Sequence, residues 1–273
     1  MKEIIILIAA LILLAIYIYY ENNALKVSKY TVKNSKLNKD KKLTIAHISD
    51  YHNNSSKRLN SMLVSKINEI KPDIIVITGD IVDSSRTNIK TALKLIDNLK
   101  DNKIYYVPGN HEARIKECSY LIEEMRKRNV TILDNKKSVF EGINIYGIRD
   151  PFFKSKNELL QSSIVKEELN TFNIENSSFN ILLSHRPEML LEYSAKGFDF
   201  VFTGHAHGGQ WRVPFIGGLY APHQGIFPKF TSGVHIKDNT NMVISRGLGN
   251  SSFPIRINNR PELVIVQIKN ETN

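Results

Sequence analysis

Five short polar clusters in this sequence each follow a short apolar run that reads as a β-strand. They are Asp50-Tyr51-His52, Gly79-Asp80, Gly109-Asn110-His111-Glu112, Ser184-His185 and Gly204-His205-Ala206-His207. In an open α/β sheet the carboxyl ends of the strands form the crevice in which ligands sit. Five strands that deliver Asp, His and Asn to their ends would therefore build one polar site. Those residue types are metal ligands.

Composition places the chain among ordinary globular proteins. Its 273 residues, 42% of them hydrophobic, suffice for one large domain or two small ones. The net charge of +10 suits an anionic partner such as phosphate, nucleic acid or an acidic membrane surface, and does not choose among them. The single Cys118 excludes a disulfide framework and a thiolate-rich zinc site, and leaves the compartment open.

The amino-terminal segment indicates a membrane anchor. Residues 4–20 carry no charge, and the run closes on Tyr17, Tyr19 and Tyr20, as is typical at a membrane interface. We therefore predict a single transmembrane anchor over residues 1–21. A cleaved signal peptide is an alternative, although Asn22-Asn23-Ala24 matches a small-x-small cleavage site poorly. A buried core helix is a third interpretation, which the lack of a polar face disfavours.

The segment after the apolar run is rich in lysine. Residues 22–42 contain seven Lys and one Asp, and we predict a tether there. The tether could lie on anionic headgroups or be merely a solvated linker, and both interpretations stay open. The lysines favour a cytoplasmic domain by the positive-inside rule. Surface enzymes of Lys-rich proteomes carry the same bias, so the side of the membrane is undecided.

Residues 43–273 read as one domain, without an internal linker or repeat. In its first half, apolar runs with strand and helix spacing alternate, which indicates a parallel sheet of βαβ units. The predicted strands there are 43–48, 74–78 and 104–107, with helices over 59–70 and 89–99. Later strands at 132–133, 143–148, 179–183, 198–203, 241–245 and 263–268 have few helices between them. They predict a second, more antiparallel sheet packed on the first.

Each cluster alone is commonly a turn or a helix cap, but their joint occurrence is not. Five of the eight histidines lie at strand ends beside Asp or Asn, namely His52, His111, His185, His205 and His207. Imidazole, carboxylate and amide oxygen without thiolate suit two divalent ions such as Mn²⁺, Zn²⁺ or Fe²⁺. No Gly-x-Ser-x-Gly elbow supports an α/β hydrolase, and no phosphate-binding Gly-x-x-x-x-Gly-Lys-Ser/Thr loop supports a nucleotide-binding ATPase.

The ordered motifs resemble those of the calcineurin-like metallophosphoesterase family. Their contexts are LTIAHISDYH, VITGD, VPGNHE, LLSHRP and FTGHAHGGQ, and the resemblance runs over residues 43–268. The later strings GHAHGGQWRVPFIGG and SRGLGNSSFPIRINNRPELVIV resemble its membrane-associated branch, which includes cell-envelope phosphoesterases and UDP-diacylglucosamine pyrophosphatase-like enzymes. The resemblance implies a four-layer α/β/β/α sandwich of two mixed sheets flanked by helices, in agreement with the two sheets predicted above.

The resemblance also implies a role for each motif residue. One metal would be bound by Asp50, His52 and His207. The other would be bound by Asn110, His185 and His205, with Asp80 bridging the two. His111 would remain off the metals as the catalytic group that binds a phosphate oxygen or protonates the leaving oxygen. Glu112 and Asp50 are candidates to orient His111, whereas Tyr51 and Asn53-Asn54 depart from the family pattern and affect substrate fit more than chemistry.

Several further residues are candidate contacts to substrate or to the ligands. His223 lies in a loop that the fold would bring near Gly204-His205, and Gln210 and Arg246 are possible phosphate-side contacts. Ordinary turn and surface roles are equally compatible with these residues. Four aromatic residues of the Gly- and Pro-rich loops could form a lip toward acyl chains or a membrane, or plugs beneath the loops: Phe215, Phe227, Phe230 and Phe253.

These observations lead to one functional hypothesis with two alternatives. The hypothesis is a membrane-anchored dinuclear-metal phosphoesterase that cleaves a phosphodiester or pyrophosphate bond of a lipid-linked or envelope substrate by attack of a metal-bridging hydroxide. A nuclease is an alternative that the basic charge favours, but that charge concentrates in the tether, so nucleic acid is not an expected partner. A non-catalytic envelope-polymer-binding protein is the other, and it would not need His111. The substrate, the native metal and the oligomeric state stay open.

Overall fold

A computed structural model describes residues 1–37, 42–250 and 253–271. The helices are α1 (Lys2–Asn23), α2 (Lys57–Ile70), α3 (Ile89–Asn98), α4 (Cys118–Lys127), α5 (Glu158–Asn170) and α6 (Leu190–Lys196). The strands are β1 (Lys26–Lys33), β2 (Lys42–Ile48), β3 (Ile74–Thr78), β4 (Ile104–Val107), β5 (Thr131–Ile132), β6 (Lys136–Phe140), β7 (Ile143–Gly147), β8 (Asn180–Leu183), β9 (Phe200–Thr203), β10 (Arg212–Val213), β11 (Gly217–Gly218), β12 (Tyr220–Ala221), β13 (Gly225–Ile226), β14 (Gly233–Lys237), β15 (Thr240–Ile244) and β16 (Glu262–Lys269).

The first sheet has the strand order β1-β16-β2-β3-β4-β5. The strands β2 to β5 run parallel, as the βαβ pattern predicts, and β16 lies antiparallel to β2. The strand β1 pairs in parallel with β16 over its full length, from Lys26 opposite Glu262 to Lys33 opposite Lys269. Part of the predicted tether is thus an edge strand. Val27 packs on the core at one face of the sheet, and Tyr30 and Val32 pack on the core at the other face. The lysines between them obscured this strand in the sequence.

The second sheet has the order β14-β15-β9-β8-β7-β6. Its central strands β7, β8, β9 and β15 run parallel, and only the edge strands β6 and β14 are antiparallel. Among the described residues this sheet has two antiparallel strand pairs and the first sheet has one, so the second sheet is the more antiparallel of the two, as predicted, although its centre is parallel. The helices α5 and α6 connect the parallel strands β7, β8 and β9, because a parallel pair needs a crossover. The periodicity of α5 is weak, which hid it in the sequence.

Alternate residues of the two sheets build three apolar layers, and these define the four-layer α/β/β/α sandwich. The first layer joins one face of the first sheet to α2, α3 and α4. The second lies between the sheets and includes Ile45, Val76 and Tyr105 opposite Ile181 and Phe202. The third joins the outer face of the second sheet to α5 and α6. The predicted fold class is confirmed.

The helix α1 projects its apolar length away from the sheets and contacts the domain at its carboxyl end. No residue of its most apolar stretch is buried, so by length and composition it could cross a membrane. At the contact, Asn259 donates its backbone N–H to the Glu21 carboxylate at 2.7 Å. The Tyr17 hydroxyl donates to the Asn258 side chain at 2.8 Å. The end of the helix is thereby hydrogen-bonded to the loop that precedes β16.

Two glycines allow the ends of β3 and β4 to approach each other. Gly79 has φ +82°, and a Cβ added to it would lie 2.6 Å from Gly109 Cα and 2.8 Å from His185 Nδ1. A Cβ added to Gly109 would lie 2.3 Å from an Asp80 carboxylate oxygen. Any larger residue would push these loops apart, and the polar clusters that follow them would separate.

We expect Gly79→Ala to destabilise the protein more than Gly142→Ala. Gly142 has a similar φ of +84° but open space around its Cα, so its substitution carries only the left-handed backbone cost of about 1–2 kcal/mol. Gly79→Ala adds overpacking, worth about 1–3 kcal/mol more. Denaturant unfolding of both variants measures the difference. Equal losses of stability would contradict the close packing of the two loops.

Candidate metal centre

The loops after five strands bring the candidate ligands to one edge of the sandwich. Asp50 and His52 follow β2, Asp80 follows β3, and Asn110 follows β4. His185 follows β8, and His205 and His207 follow β9. Five of these residues have left-handed φ between 46° and 65°: Asp50, His52, Asp80, His205 and His207. Such strained backbone concentrates at functional sites, where the surrounding packing imposes it.

The residues Asp50, His52 and His207 form the first group of convergent ligand atoms. His207 Nε2 lies 3.4 Å from Asp50 Oδ1 and 3.2 Å from His52 Nε2. All three side chains are buried. The structure thus brings together the three residues assigned to one metal.

Asp80, His185 and His205 form the second group, beside Asn110. His185 Nε2 lies 3.2 Å from Asp80 Oδ2, 3.1 Å from Asn110 Oδ1 and 3.2 Å from His205 Nδ1. Asp80 Oδ2 is also 3.8 Å from His52 Nε2 of the first group. Asp80 therefore lies between the two groups, where a bridging carboxylate would have to be.

The carboxylates and other acceptor groups at this edge of the sandwich require a proton or a cation among them. His185 Nδ1 lies 2.7 Å from the Thr78 carbonyl and must donate to it, which leaves Nε2 facing two acceptor atoms, the oxygens of Asp80 and Asn110. Burial lowers the pKa of His185, but Asp80 and Asp50 outweigh burial and raise it to about 10. A second proton or a cation must therefore sit among Nε2 and those acceptors.

The other titratable groups favour a cation over a proton. Burial lowers the pKa of His52 to about 3, and it holds the pKa of His205 and His207 well below the usual range. These rings are neutral and keep a lone pair for a metal. Burial opposes the ionisation of Asp80, but His185 and His111 outweigh it and hold its pKa well below the usual range. Neutral imidazoles around an ionised carboxylate fit divalent ions.

His111 is held with one ring nitrogen bound to the protein backbone. The Ser84 N–H donates to His111 Nδ1 at 2.9 Å, so a neutral His111 carries its proton on Nε2. That Nε2 lies 3.9 Å from Asp80 Oδ2, and the ring packs edge-on against His52 at a centroid distance of 4.5 Å. His111 also lies within reach of a cation held by His52 and Asp80. Its geometry fits a proton donor at the edge of the metal groups.

Asp83 is a buried carboxylate beside His111 that the sequence analysis did not single out. Its Oδ1 accepts from the Ser85 N–H and hydroxyl, at 2.8 and 2.6 Å, and lies 4.0 Å from His111 Nδ1. These bonds hold the turn that presents the Ser84 N–H to the ring. A signal was present, since Gly79-Asp80 is followed three residues later by this second carboxylate.

Glu112 was a candidate to orient the His111 ring, but its carboxylate binds backbone groups instead. Its carboxylate accepts backbone N–H groups of Asp80, Gly109 and Val82, at 2.8, 2.7 and 3.2 Å. The Asp50 carboxylate accepts the His205 N–H at 3.0 Å. Both carboxylates join loops of different strands, which fixes the positions of the ligands those loops carry.

A buried ion pair behind the second group was also missed. Arg186 donates from Nη2 to Asp150 Oδ1 at 2.9 Å, and its Nη1 lies 3.3 Å from His205 Nε2. Both charged side chains are fully buried. The arginine directly follows the ligand His185 in Ser184-His185-Arg186, which was the available signal.

The three remaining candidate residues differ in their placement. The His223 ring stacks on His205 at a centroid distance of 5.2 Å, and its Nδ1 lies 3.3 Å from the exposed Glu158. Gln210 is buried, and its backbone carbonyl accepts a hydrogen bond from the Asn259 side-chain amide at 2.9 Å. Arg246 lies 3.7 Å from Glu262 on β16. His223 is thus next to a candidate ligand. Gln210 contacts the loop that precedes β16, and Arg246 contacts β16 itself.

The fold and this centre define a metal-dependent hydrolase on a four-layer sandwich. The family model of calcineurin-like phosphoesterases matches residues 43–209, which is more than half of the chain. This chain belongs to the calcineurin-like phosphoesterase family, whose members are dinuclear metal-dependent hydrolases of phosphoesters.

Individual relatives agree with the family assignment. An uncharacterised metallophosphoesterase of Aquifex aeolicus is 30% identical over 96% of this chain and 98% of its own length. A zebrafish (Danio rerio) transmembrane protein with a metallophosphoesterase domain is 26% identical over 76% of this chain and 48% of its own length. A solved crystal structure superposes with a TM-score of 0.50 at 12% identity, over 74% of this chain and 90% of that one, which shows the fold.

We expect Asp80→Ala and His111→Ala to fail in different ways. Asp80→Ala removes the carboxylate between the two groups, so bound metal should fall below two ions per chain and activity should be lost. His111→Ala should keep both ions and lose about 100-fold or more in kcat, because it removes only a proton donor. Metal analysis after gel filtration, beside turnover, measures both. Loss of one ion in His111→Ala would make His111 a ligand.

The role of Asp83 can be tested with a matched control. Asp83→Ala should lower kcat about tenfold or more with metal content unchanged, because the turn that holds the His111 tautomer is lost. Asp83→Asn keeps one acceptor oxygen and should lose less. Arg86→Gln removes only the exposed partner of Asp83, at 2.8 Å, and should remain near wild type. An equal loss in Arg86→Gln would contradict the proposed positioning.

Proposed function

We propose that this protein is a membrane-anchored phosphoesterase that hydrolyses a phosphodiester or pyrophosphate bond of a lipid-linked or cell-envelope compound. This proposal rests on the convergence of seven proposed ligand side chains on two adjoining positions, with Asp80 between the positions and a histidine proton beside them. The proposed ligands are Asp50, His52, Asp80, Asn110, His185, His205 and His207, and His111 is the proposed catalytic residue.

The residues divide the work of hydrolysis among them. Two divalent ions bound there would activate water and neutralise phosphate charge, and Mn²⁺, Zn²⁺ and Fe²⁺ are the candidates. His111 Nε2–H would donate to a phosphate oxygen or to the leaving oxygen, since Nδ1 is already bound to Ser84. The buried Arg186 would hold His205 in place from behind. The stacked His223 would meet substrate beside His205.

We propose the domain organisation predicted from the sequence: anchor 1–21, Lys-rich segment 22–42 and catalytic domain 43–273. The exposed apolar helix α1 supports the anchor, and so does the similarity to the zebrafish transmembrane protein. A membrane position would concentrate the enzyme on membrane-bound phosphoesters. Both sides of the membrane are compatible with this proposal.

The test uses the full-length protein, which is stripped of metal and placed in lipid nanodiscs. Turnover of bis(p-nitrophenyl) phosphate should return with Mn²⁺, Zn²⁺ or Fe²⁺, and His111→Ala should lower it about 100-fold or more. A pyrophosphate-linked lipid in the nanodisc should then be cleaved faster than single- or double-stranded DNA. Faster cleavage of DNA would replace the proposed substrate class by a nuclease activity, and no turnover with any metal would contradict the enzyme mechanism.

A further inference from the structure

Exposed apolar side chains concentrate on two segments of the described domain. Residues 211–227 and 253–255 expose Trp211, Val213, Phe215, Ile216, Tyr220, Ile226, Phe227, Phe253 and Ile255. We call these nine residues the apolar face. The other exposed large apolar residues of the domain are scattered over different elements, as is normal for a soluble surface: Tyr120, Val139, Leu159, Leu160, Leu191 and Ile236.

The apolar face is continuous with the end of α1. Ile255 and Pro254 line a cleft together with Ala15 and Ile18 of the helix. Trp211 then extends the face, because its indole N–H donates to the Ile255 carbonyl at 2.9 Å and its ring lies 6.0 Å from that of Phe253. The hairpins β10-β11 and β12-β13 carry the remaining residues.

The position of this cleft along α1 determines how deep the adjoining part of the apolar face would lie in a bilayer. The uncharged run ends at Tyr20, so Ala15 and Ile18 lie about 3–8 Å inside it at 1.5 Å per residue. Residues of the domain that line the same cleft must lie at the boundary between headgroups and acyl chains if the helix spans a bilayer. Amphipathic elements bury their apolar side chains to a similar depth of about 5–10 Å.

Two aromatic residues of the face are strained as well as exposed. Phe215 has φ +67° and is fully exposed, at 109% of the reference area, and Phe227 has φ +52° and is 58% exposed. Bulky side chains rarely adopt this backbone conformation. Neither residue gains intramolecular burial in return. An apolar environment outside the protein would stabilise both side chains.

The charges around the face match an anionic lipid surface. Residues 211–230 and 250–260 contain no Asp or Glu, but they carry the exposed Lys229 and the half-buried Arg212 and Arg260; the fourth cation there, Arg256, is buried and takes no part. Arg260 donates to the Tyr20 hydroxyl of α1 at 2.9 Å, which places a guanidinium beside the end of the uncharged run. Basic residues at this level attract anionic headgroups.

We propose that the apolar face docks into the same bilayer leaflet that α1 enters, at the boundary of headgroups and acyl chains. This inference rests on the proposed anchor. The hairpins of the face directly follow His207, and His223 of the β12-β13 turn stacks on His205. Docking therefore brings the metal centre to the membrane surface, where an amphiphilic phosphoester can reach it with its acyl chains still in the leaflet.

The test measures lipid contact of single positions in the full-length protein. In a Cys118→Ser background, an environment-sensitive fluorophore is attached at Phe215→Cys, Ile226→Cys, Leu11→Cys or Ile236→Cys, and each protein is placed in nanodiscs of anionic lipid. Nitroxide-labelled lipids should quench the labels at 215, 226 and 11 about threefold or more above the label at 236, which lies on β14 outside the face.

The four labels separate the two proposals. Quenching at 11 without quenching at 215 and 226 would overturn docking and leave the anchor intact. An unquenched label at 11 would contradict the anchor, whatever the active site does. Shielded but unquenched labels at 215 and 226 that crosslink to a second chain would assign the face to a dimer and overturn docking. Turnover of the soluble bis(p-nitrophenyl) phosphate reports the proposed enzyme separately.

A second variant guards against misfolding. Asn adopts left-handed backbone more readily than Phe, so Phe215→Asn with Phe227→Asn should keep or raise thermal stability. The same double variant should reduce lipid quenching of the label at 226 about threefold. Undiminished quenching in the stable double variant would contradict the role of these aromatic residues in docking.

Discussion

The structure depends on the crowding of buried acceptor groups at one edge of the sandwich. Imidazole nitrogens, carboxylate oxygens and an amide oxygen face one another at distances of 3.1–3.4 Å around Asp80 and Asp50. Such groups repel unless positive charge lies between them. The strained backbone of the ligand loops, the close approach of Gly79 and Gly109, and the Glu112 carboxylate that binds three backbone amides all hold this arrangement together. Metal ions bound among these groups would therefore stabilise the folded arrangement of this edge.

The buried centre of the fold was predictable, but its edges were not. The strands β3 and β4 were predicted to the residue, because a continuous apolar run between turn residues has few other interpretations. β1 mixes lysines with apolar residues at an edge of the sheet. Its lysines led to the prediction of a tether, although its apolar residues pack on the core. The helix α5 buries polar residues such as Gln161 and Glu168, which removes the signal of an apolar stripe. Edges and polar helices depend on tertiary contacts that a local pattern does not contain.

The proposed ligands could be found from sequence since a metal needs particular atoms at the ends of strands. Residues that act through another residue follow no such rule. Asp83 reaches His111 through the backbone of Ser84, and Arg186 reaches His205 from the buried side of a loop. Glu112 stands next to His111 in the chain, yet it binds the backbone of other loops. Adjacency in sequence therefore suggested the wrong kind of contact, and only the folded geometry distinguishes positioning residues from neighbours.

The connection between α1 and β1 has a consequence for the range of the enzyme. Only Ala24 and Leu25 separate the end of the helix from the strand that enters the first sheet. Both residues are buried, and the Ala24 N–H donates to the Tyr20 carbonyl at 2.9 Å. A catalytic domain on a long flexible linker would sweep a hemisphere and sample soluble molecules far from its attachment point. This domain has no such linker in front of its first strand. With α1 in a membrane, as proposed, it would move together with its helix and would meet substrates by diffusion in two dimensions.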